Sequence, residues 1–371
     1  MSRRVLILSS EFPPGPGGIG QHAYSLAKAL HSEGYHIRVL SPADYATNEE
    51  VATFDQSQLF EIERYPRRGR LATYPYRLLM TLWAMRSSAV SVVILTGKFS
   101  LWQGLLIRGI YPKIRTLAVL HGSEVNLANY FLRWLTHRAI AAADVIIPVS
   151  QFTRSLLPGW IQRRHQRIQV IPNGIDQAPS SAEGSTHTAL NGTPCLLTVG
   201  HVSPRKGQHR VIKALPRLIE AWPDVHYHIV GRPKTQMALE ALADQLGVRN
   251  HITFHGRVPA HQALGSYYRQ ADVFMLLSEN QPDGDVEGFG IVALEANLHG
   301  VPVVGAKYCG VEEAVDHMRS GYVVDGDKPD EIVEGINYCM ANKASLQEGA
   351  DLWVHAHQWT AIVKQYNALL G

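Results

Sequence analysis

Short apolar runs alternate with amphipathic segments along most of the chain. Val5 to Leu8 is a continuous apolar run, Gly18 to Glu33 has the spacing of an amphipathic helix, and His36 to Leu40 is a second apolar run. Runs of this length predict strands that are buried on both faces, and helices between them predict a parallel sheet. Four more strands are predicted in this half of the chain: Val92 to Leu95, Thr116 to Leu120, Val145 to Val149 and Ile168 to Ile171.

The alternation lapses at residues 177–194 and then starts again. This stretch has small and polar side chains and almost no long apolar ones, which is typical of a linker. Because the second half repeats the pattern, the sequence predicts an α/β protein with two doubly wound, Rossmann-like domains. The later predicted strands are Leu196 to Val199, His226 to Val230, Ile252 to Phe254, Val273 to Leu277 and Val301 to Val304, with helices from Gln208, Gln236 and about Gly288.

Length and composition agree with two globular domains. The chain has 371 residues, of which 46% are hydrophobic and 18% charged, enough apolar material for two cores. The three cysteines Cys195, Cys309 and Cys339 are an odd number without CxxC spacing, which argues against disulfides and structural zinc. The first apolar run is too short for a signal peptide, and no run reaches the roughly 20 residues of a membrane span. A cytoplasmic protein is therefore expected.

Positive charge is concentrated in the first half of the chain. Residues 1–186 contain 20 Lys and Arg against 12 Asp and Glu, whereas residues 187–371 contain 15 against 20. No nucleic-acid-binding module accompanies this excess, so nucleic acid is not an expected partner. An anionic substrate or an anionic membrane surface explains it as well, and one segment mixes arginines with aromatic residues as membrane-surface segments do. It contains Arg64, Arg67, Arg68, Arg70, Arg77 and Arg86 with Tyr65, Tyr74, Tyr76 and Trp83, and a solvated helix face is the alternative interpretation.

A glycine-rich loop follows the first predicted strand. Gly15 to Gly20 contains the pattern GxGxxG, and Asp44 follows the second strand, where a dinucleotide-binding fold holds the ribose. A nicotinamide cofactor is therefore one hypothesis. Three prolines lengthen the loop, however, whereas the dinucleotide motif needs a tight turn. Glycine amides at the start of a helix bind other anions equally well, and a purely structural turn is the remaining alternative.

Two loops in the second half carry charged side chains. Arg205 and Lys206 lie between the first strand and first helix of that half, a position suited to a phosphate. Glu287 and Glu295 are eight positions apart, and on one helix the rise between them would be about 12 Å. This favours holding a ligand over hydrolysis, which needs roughly 5 to 9.5 Å between carboxylates. Asp283 and Asp285 resemble a metal-binding DxD pair, but a solvated acidic loop is the preferred interpretation.

Six motifs occur in order along the chain: Gly17-Gly18, His121 to Glu124, Val149-Ser150, Ile171 to Asp176, Val199-Gly200 with Lys206-Gly207, and Glu287 to Glu295. This order resembles retaining glycosyltransferases of family 4, which have the GT-B fold of two Rossmann-like domains facing across a cleft. The resemblance extends from Val5 to about Val324, and Gly284 to Gly288 is most similar to bacterial lipid mannosyltransferases, near polysaccharide and lipopolysaccharide enzymes. We expect domains at residues 1–180 and 195–354, a linker at 181–194, and a last helix at 355–371 that crosses back to the first domain.

The resemblance implies a role for each motif. Lys206 and His201 would hold the donor diphosphate, Glu295 would bind the ribose hydroxyls, and Glu287 would contact the donor sugar. His121 would approach that sugar from the first domain. The other predicted contacts are Arg205 at the phosphates, Gly17 and Gly18 as an acceptor or phosphate loop, Val258 at the base, and Gly288, Phe289, Gly290 and Ile291 at the start of the phosphate-facing helix.

One position departs from the family pattern. Family members usually have arginine at position 201, whereas this chain has His201. A neutral imidazole does not supply the permanent charge of arginine. Three explanations stay open: a bound diphosphate raises the pKa of His201, Arg205 replaces the missing charge, or activity is low.

The sequence therefore predicts a metal-independent glycosyltransferase that moves a hexose from a UDP or GDP sugar to a hydroxyl of a glycan, glycolipid or lipid-linked acceptor. Mannose, glucose and N-acetylglucosamine donors all fit, and no cofactor is expected besides the nucleotide-sugar co-substrate. Lys206 would stabilise the leaving diphosphate while His121 and Glu287 orient the sugar. The expected location is the cytoplasm, with peripheral contact at the inner face of the membrane. The alternatives are a nucleotide-sugar binding protein with little turnover, which His201 favours, and an NAD-dependent oxidoreductase.

Overall fold

The computed structural model describes residues 3–44, 46–66, 70–87, 90–165, 167–177, 189–258 and 261–370. The chain divides into two compact units. The first runs up to Gly174 and includes the segment from Trp359 onward, and the second is Ile175–Gln358. The sequence predicts borders at residues 180, 195 and 354, and residues 181–188 of the predicted linker lie outside the described residues.

The first unit is built on a six-stranded parallel sheet. Its strands are β1 (Arg4–Ser9), β2 (His36–Pro42), β3 (Glu61–Tyr65), β4 (Val92–Thr96), β5 (Arg115–Leu120) and β6 (Val145–Pro148), in the spatial order β3-β2-β1-β4-β5-β6. Its helices in chain order are α1 (Gly18–Ser32), α2 (Asn48–Gln56), α3 (Arg70–Ser87), α4 (Lys98–Ile110), α5 (Tyr130–Ala142), α6 (Gln151–Ser155) and α7 (Gly159–Arg164).

The second unit has a sheet of the same kind. Its strands are β7 (Cys195–Val199), β8 (His226–Val230), β9 (Ile252–Gly256), β10 (Val273–Leu276), β11 (Val303–Ala306) and β12 (Gly321–Val324), in the order β12-β11-β10-β7-β8-β9. Its helices are α8 (Gln208–Ala221), α9 (Gln236–Gln245), α10 (His261–Gln270), α11 (Ile291–Leu298), α12 (Pro329–Ala341) and α13 (Lys343–Ala356). The prediction of two doubly wound sheets is confirmed.

The last helix, α14 (Trp359–Leu370), belongs to the first unit, as the sequence predicts. It packs on α1, where the ring of Trp359 lies 5.3 Å from that of His22 and Tyr366 is fully buried. The segment from residue 355 is not one helix, because α13 ends at Ala356 before α14 begins.

The predicted strands differ from the observed ones in three places. Ile168 to Ile171 is not a strand, since Ile168 forms only an isolated bridge to Ile146. Two strands were missed, β3 and β12. The edge strand β3 has the sequence EIERY, and its charged, partly exposed residues leave no continuous apolar run to detect. β12 has four residues and begins with glycine, which is too little for a periodic signal.

The strand order determines where ligands meet each sheet. In the first sheet the strand order reverses direction between β1 and β4, because β2 and β3 lie on one side of β1 and β4 to β6 lie on the other. In the second sheet it reverses between β7 and β10 in the same way. Loops at the carboxyl ends of such neighbouring strands border a crevice, which is the usual ligand site of doubly wound folds. The loops that follow these four strands are therefore the expected ligand-binding loops of the two units.

Candidate active site

The loop between β1 and α1 directs one of the protein's own carboxylates to the start of the helix. Gly17 precedes α1 with a φ of 148°, and a Cβ atom there would lie 2.0 Å from Oε2 of Glu11. Burial raises the pKa of Glu11, and a hydrogen bond from the backbone N–H of Gly20 opposes this rise in part. A Cβ atom on Gly20 would in turn meet the backbone nitrogen of Phe12 at 2.9 Å. Close packing therefore explains the GxGxxG pattern without a dinucleotide.

His121 lies directly after β5, at the carboxyl edge of the first sheet. Its Nε2 atom is 2.9 Å from Oγ1 of Thr96 at the end of β4, and its ring centroid is 4.9 Å from that of His22 on α1. Burial lowers the pKa of His121 to about 4, so the imidazole is neutral at physiological pH. A neutral imidazole can orient a hydroxyl group, but it does not supply positive charge.

Glu124 stabilises the loop that carries His121. Its Oε1 atom accepts a 2.6 Å hydrogen bond from the backbone N–H of His121, while its Oε2 atom is buried with no hydrogen-bond partner in the described parts of the chain. Burial raises the pKa of Glu124 to about 7; the charge of Glu11 adds to the rise, and backbone N–H groups oppose it. A half-satisfied carboxyl group with a near-neutral pKa is typical of functional sites.

In the second unit, the loop after β7 places two cations at the start of α8. Arg205 and Lys206 lie on one 3₁₀ turn, and Gly207 follows it with a φ of 70°. A Cβ atom on Gly207 would lie 1.8 Å from the carbonyl oxygen of Leu277, just beyond β10. Glycine is thus needed for the loops after β7 and β10 to approach each other. Lys206 is only 8% exposed, and a lysine so buried needs a partner.

Glu287 is that partner, and it contacts both cations. Its Oε2 atom is 2.7 Å from Nζ of Lys206 and also contacts Nη1 of Arg205, whose Nε is 3.1 Å from a carboxylate oxygen of Asp285. Burial by itself would raise the pKa of Glu287, but Lys206 and Arg205 outweigh it and lower the pKa to about 2. An anionic ligand that binds these cations must therefore compete with Glu287.

The pairing of Asp285 with Arg205 also accounts for the DxD sequence at 283–285. Asp283 accepts a 3.1 Å hydrogen bond from the backbone N–H of Asp285, which shapes the loop. Within the residues that the structure describes, no group of three or more His, Cys, Asp or Glu side chains is arranged to hold a metal ion. Asp285 is exposed, as the preferred interpretation of a solvated acidic loop expects, and it also serves as a counter-charge to Arg205.

Glu287 and Glu295 do not share a helix, so the predicted spacing along one helix is wrong. α11 starts only at Ile291, because Gly290 has a left-handed conformation with a φ of 90°. Glu287 lies in the loop before it. Glu295 is on α11, and its Oε2 atom accepts a 2.8 Å hydrogen bond from the hydroxyl of Tyr268, a residue that is 2% exposed. The buried hydroxyl therefore fixes the orientation of Glu295.

His201 is a neutral group surrounded by cations. Burial lowers its pKa, and the charges of Lys234, Arg232, Lys206 and Arg205 lower it further. Arg232 and Lys234 follow β8, and the backbone N–H of Val202 donates to the carbonyl of Arg232 over 3.0 Å. The loop after β8 therefore brings two cations, Arg232 and Lys234, near His201, which stands where the family usually has an arginine.

The remaining predicted contacts occupy varied surroundings. Gly18 borders open space, since a Cβ atom there would meet no atom within 4 Å. Phe289 is 2% exposed and its ring lies 6.1 Å from that of His357, so the side chain packs inside the unit. Val258 is half-buried just beyond β9, and Gly288 packs so closely that a Cβ atom on Gly310 would lie 2.0 Å from its carbonyl oxygen.

Four residues that complete these clusters were missed in the sequence, namely Glu11 in the first unit and Arg232, Lys234 and Tyr268 in the second. Glu124 was noted only as the end of the motif His121 to Glu124, without a role of its own. A signal existed for the two cations, because they follow a predicted strand that neighbours β7 and must end at the same edge of the sheet. Glu11 and Tyr268 have no such signal, since their roles depend on burial and on contacts with other parts of the chain.

Two family models match the chain. The model described as Glycosyltransferase Family 4 matches residues 16–178, and the model described as Glycosyl transferases group 1 matches residues 185–351. The chain belongs to glycosyltransferase family 4. The oxidoreductase hypothesis is therefore wrong, and the glycine pattern of this glycosyltransferase has the packing role described above.

Proteins similar to this glycosyltransferase include lipid mannosyltransferases and a protein whose crystal structure contains UDP and glucose. A GDP-mannose-dependent alpha-(1-6)-phosphatidylinositol monomannoside mannosyltransferase of Mycobacterium tuberculosis (strain CDC 1551 / Oshkosh) is 27% identical, over 96% of this chain and 94% of the relative. The protein of the same name from Mycolicibacterium smegmatis is 29% identical, over 96% and 93%. The crystal structure of Anabaena Alr3699/HepE in complex with UDP and glucose matches with a TM-score of 0.75 and 21% identity over 99% of both chains. This structural match shows that the glycosyltransferase has the GT-B fold.

Proposed function

We propose that this enzyme transfers a hexose from a nucleoside diphosphate sugar to a hydroxyl group of a lipid-linked acceptor, and that the donor is GDP-mannose. The cluster of Arg205, Lys206 and Glu287 carries the proposal, because it is a buried cationic site at the switch point of the second sheet. Support for GDP-mannose comes from the two relatives that align over more than nine-tenths of this chain, whose names specify that donor.

The second unit suits a diphosphate because its cations are shielded from water. Lys206 is 8% exposed, and a charge in such surroundings interacts more strongly with an anion than it would in bulk solvent. A diphosphate that takes the place of Glu287 on Lys206 frees that carboxylate to accept hydrogen bonds from hydroxyls of the donor sugar. Glu295, oriented by Tyr268, would bind the ribose hydroxyls.

A further part of the proposal concerns the positive charge that His201 does not supply. Arg205 is already paired with Glu287 and Asp285, so it is poorly placed to replace the missing arginine. Arg232 and Lys234 lie close enough to lower the pKa of His201. We assign the missing positive charge to them, with His201 as a neutral hydrogen-bonding group.

The first unit suits the sugar part of an acceptor. Glu11 and Glu124 offer buried carboxyl groups and His121 a neutral imidazole, all beyond the carboxyl ends of β1 and β5. Carboxylates accept hydrogen bonds from hydroxyl groups and repel phosphate. We therefore place a polyhydroxyl group of the acceptor there, next to the open space at Gly18.

The chemical step that the family resemblance implies needs no protein nucleophile. The bond between the anomeric carbon and the diphosphate oxygen breaks, and the new bond to the acceptor oxygen forms on the same face of the sugar. The acceptor proton passes to an oxygen of the leaving diphosphate. Lys206 and the amides at the start of α11 stabilise the charge that develops on that group, while His121 and Glu287 orient the sugar.

Calorimetric titration with GDP, UDP and NAD, in EDTA, tests the donor site. We expect GDP to bind most tightly and Lys206→Ala and Glu295→Ala to weaken binding about 10- to 100-fold, which corresponds to roughly 1.4 to 2.7 kcal/mol. Lys213→Ala, an exposed lysine on α8, is the matched control and should bind as the wild type does. Equal loss in the control, or no loss in either test variant, would reject the site.

Transfer is measured separately with labelled GDP-mannose and UDP-glucose. The acceptors are a mannosyl phosphatidylinositol and the same glycan without its lipid. Transfer from GDP-mannose to the lipid-linked acceptor with retained anomeric configuration is the expected result. Tight nucleotide binding without transfer to either acceptor would instead favour the binding-protein alternative.

A further inference from the structure

The helices α3, α4 and α5 form a layer on one face of the first sheet. Met85, Leu101 and Ile140, one from each helix, belong to a single core cluster with Leu6 and Leu95 of the sheet. Because each helix follows a parallel strand, all three begin at the carboxyl edge of the sheet. The outer surface of this layer near the helix starts therefore borders the loops that carry Glu11 and His121.

Aromatic side chains lie on all three helices of this layer. The rings of Tyr74 on α3 and Phe99 on α4 lie 5.0 Å apart, and Trp102 on α4 is 6.1 Å from Phe99. The indole N–H of Trp102 donates to Oγ1 of Thr136 on α5 over 3.0 Å. The aromatic band consists of these rings together with Tyr130, Phe131 and Trp134 on α5.

The α5 end of the aromatic band is strongly exposed to solvent. Tyr130 is 76% exposed, Phe131 64% and Trp134 50%. Oδ1 of Asn129 caps the start of α5 by accepting from the backbone N–H of Leu132 at 3.0 Å, and Phe131 stacks on Trp134 with 6.1 Å between centroids. Three adjoining, ordered aromatic side chains in water indicate an interaction surface.

The charge around the aromatic band has one sign. From residue 64 to residue 123 the sequence has Lys or Arg at ten positions and Asp or Glu at none, and α5 adds Arg133 and Arg138 without an acidic residue. The guanidinium group of Arg133 lies 5.8 Å from the ring centre of Tyr130, and that of Arg138 lies 5.8 Å from the ring centre of Trp134. Lys98, Arg133 and Arg138 form no ion pair with other residues in the described ranges.

The segment singled out in the sequence contributes less to this surface than expected. Tyr65 is 3% exposed and belongs to the core, and Arg64 pairs with Asp55 at 2.6 Å. Arg77 lies 3.8 Å from Asp44. Arg67 and Arg68 are outside the described residues, as is the side chain of Arg70. Trp83 and Tyr74 of this segment are 58% and 53% exposed, and α5, which the sequence did not single out, adds Tyr130 at 76% and Phe131 at 64%.

We propose that the aromatic band is a docking surface for a bilayer rich in anionic phospholipids. Tyr and Trp rings settle at the boundary between headgroups and acyl chains, and arginines beside them reach lipid phosphates. Charge of one sign over the whole layer complements an anionic membrane, whereas a protein partner would need a matching acidic patch. None of the helices that the structure describes is long and apolar enough to cross a membrane, so the contact is peripheral.

Vesicle co-sedimentation without any substrate tests this surface. Wild-type protein should bind vesicles of equal parts phosphatidylcholine and phosphatidylglycerol and not pure phosphatidylcholine. The double variant Phe131→Ser with Trp134→Ser should weaken binding about 100-fold, because each ring that is buried in the bilayer contributes about tenfold to the affinity. Arg133→Glu with Arg138→Glu should weaken it at least 10-fold and flatten its salt dependence.

Matched controls lie in the second unit. Met237→Ser with Leu352→Ser removes side chains that are 84% and 64% exposed, and Lys213→Glu with Arg319→Glu reverses two exposed charges. Both controls should bind vesicles as the wild type does. Thermal unfolding and GDP titration verify the fold of each variant, and Tyr130→Ser is a single-site check if a double variant fails to fold.

Three results would overturn the proposal. The α5 variants could bind like the wild type, or pure phosphatidylcholine could bind as tightly as the anionic mixture. The protein could also ignore vesicles and self-associate through Phe131 and Trp134, which would make the band an interface between two copies. Since the assay contains no donor or acceptor, its outcome is independent of the proposed transfer reaction.

Discussion

The two units have one strand order but opposite charge in corresponding loops. Counted from the first strand of each, both sheets have the spatial order three, two, one, four, five, six. The loop after the first strand carries Glu11 to the first helix in one unit and Arg205 with Lys206 in the other. The fold therefore sets where a ligand binds, whereas the side chains on the loops set which charge that ligand must carry.

Glu287→Gln tests the charge of the second unit most severely, since Glu287 is the carboxylate that contacts both cations there. We expect GDP to bind about 10-fold more tightly, because Lys206 and Arg205 are released, and kcat/KM for transfer to fall about 100- to 1000-fold because the sugar is no longer oriented. Calorimetry and initial-rate kinetics measure the two effects. Glu240→Gln is the control, and weaker GDP binding with unchanged transfer would contradict the assignment.

Glu124→Gln tests the buried carboxyl groups of the first unit. Burial raises the pKa of Glu124 from 4.5 to about 7, so the native state favours the protonated form. Stability is therefore lost as pH rises through about 7, and it is regained as pH falls toward 4.5. We expect the variant to be more stable than the wild type by about 2 to 3 kcal/mol at alkaline pH, with little difference below the unfolded pKa.

Denaturant unfolding across that pH range measures the difference for Glu124. Glu220→Gln, an exposed glutamate in the second unit, is the control and should leave the pH profile of stability unchanged. Parallel wild-type and Glu124→Gln profiles would show that Glu124 is not the group that titrates.

The variants Arg232→Ala and His201→Arg test whether cations in the loop after β8 supply the positive charge that family members have from arginine at position 201. We expect Arg232→Ala to weaken GDP binding about 10-fold, and His201→Arg to restore most of that loss in the double variant, because one charge substitutes for the other. A calorimetric double-mutant cycle measures the coupling. Strictly additive effects would mean that the two positions act on different parts of the ligand.

Tyr268→Phe should have the smallest effect. The change removes the hydroxyl that donates to Glu295 over 2.8 Å and leaves the ring in place. We expect KM for the donor to rise about 3- to 10-fold with little change in kcat, since one hydrogen bond contributes about 1 kcal/mol. Tyr267→Phe, which changes the preceding residue on α10, is the control. An unchanged KM in Tyr268→Phe would show that Glu295 needs no support from Tyr268.

Much of the fold could be predicted because burial leaves a direct trace in the sequence. Central strands such as β1 and β4 are apolar on both faces and appear as continuous runs. The edge strand β3 escaped detection because three of its five residues are charged and only its last residue is buried. The motifs also located Lys206, Glu287 and Glu295 in the chain. Their mutual arrangement did not follow, as the wrong single-helix placement of the two glutamates shows.

The fold class, the family and the loops that carry charge could be predicted from the sequence, because they depend on hydrophobic periodicity and on short motifs. The electrostatic state of the site depends on the tertiary structure. Arg205 and Glu287 are 82 positions apart and meet across two loops, His201 is neutral among cations from two strands, and Glu124 has a pKa of about 7. A pKa and a charge pair depend on burial and on neighbours in space, and neither is a local property of the chain.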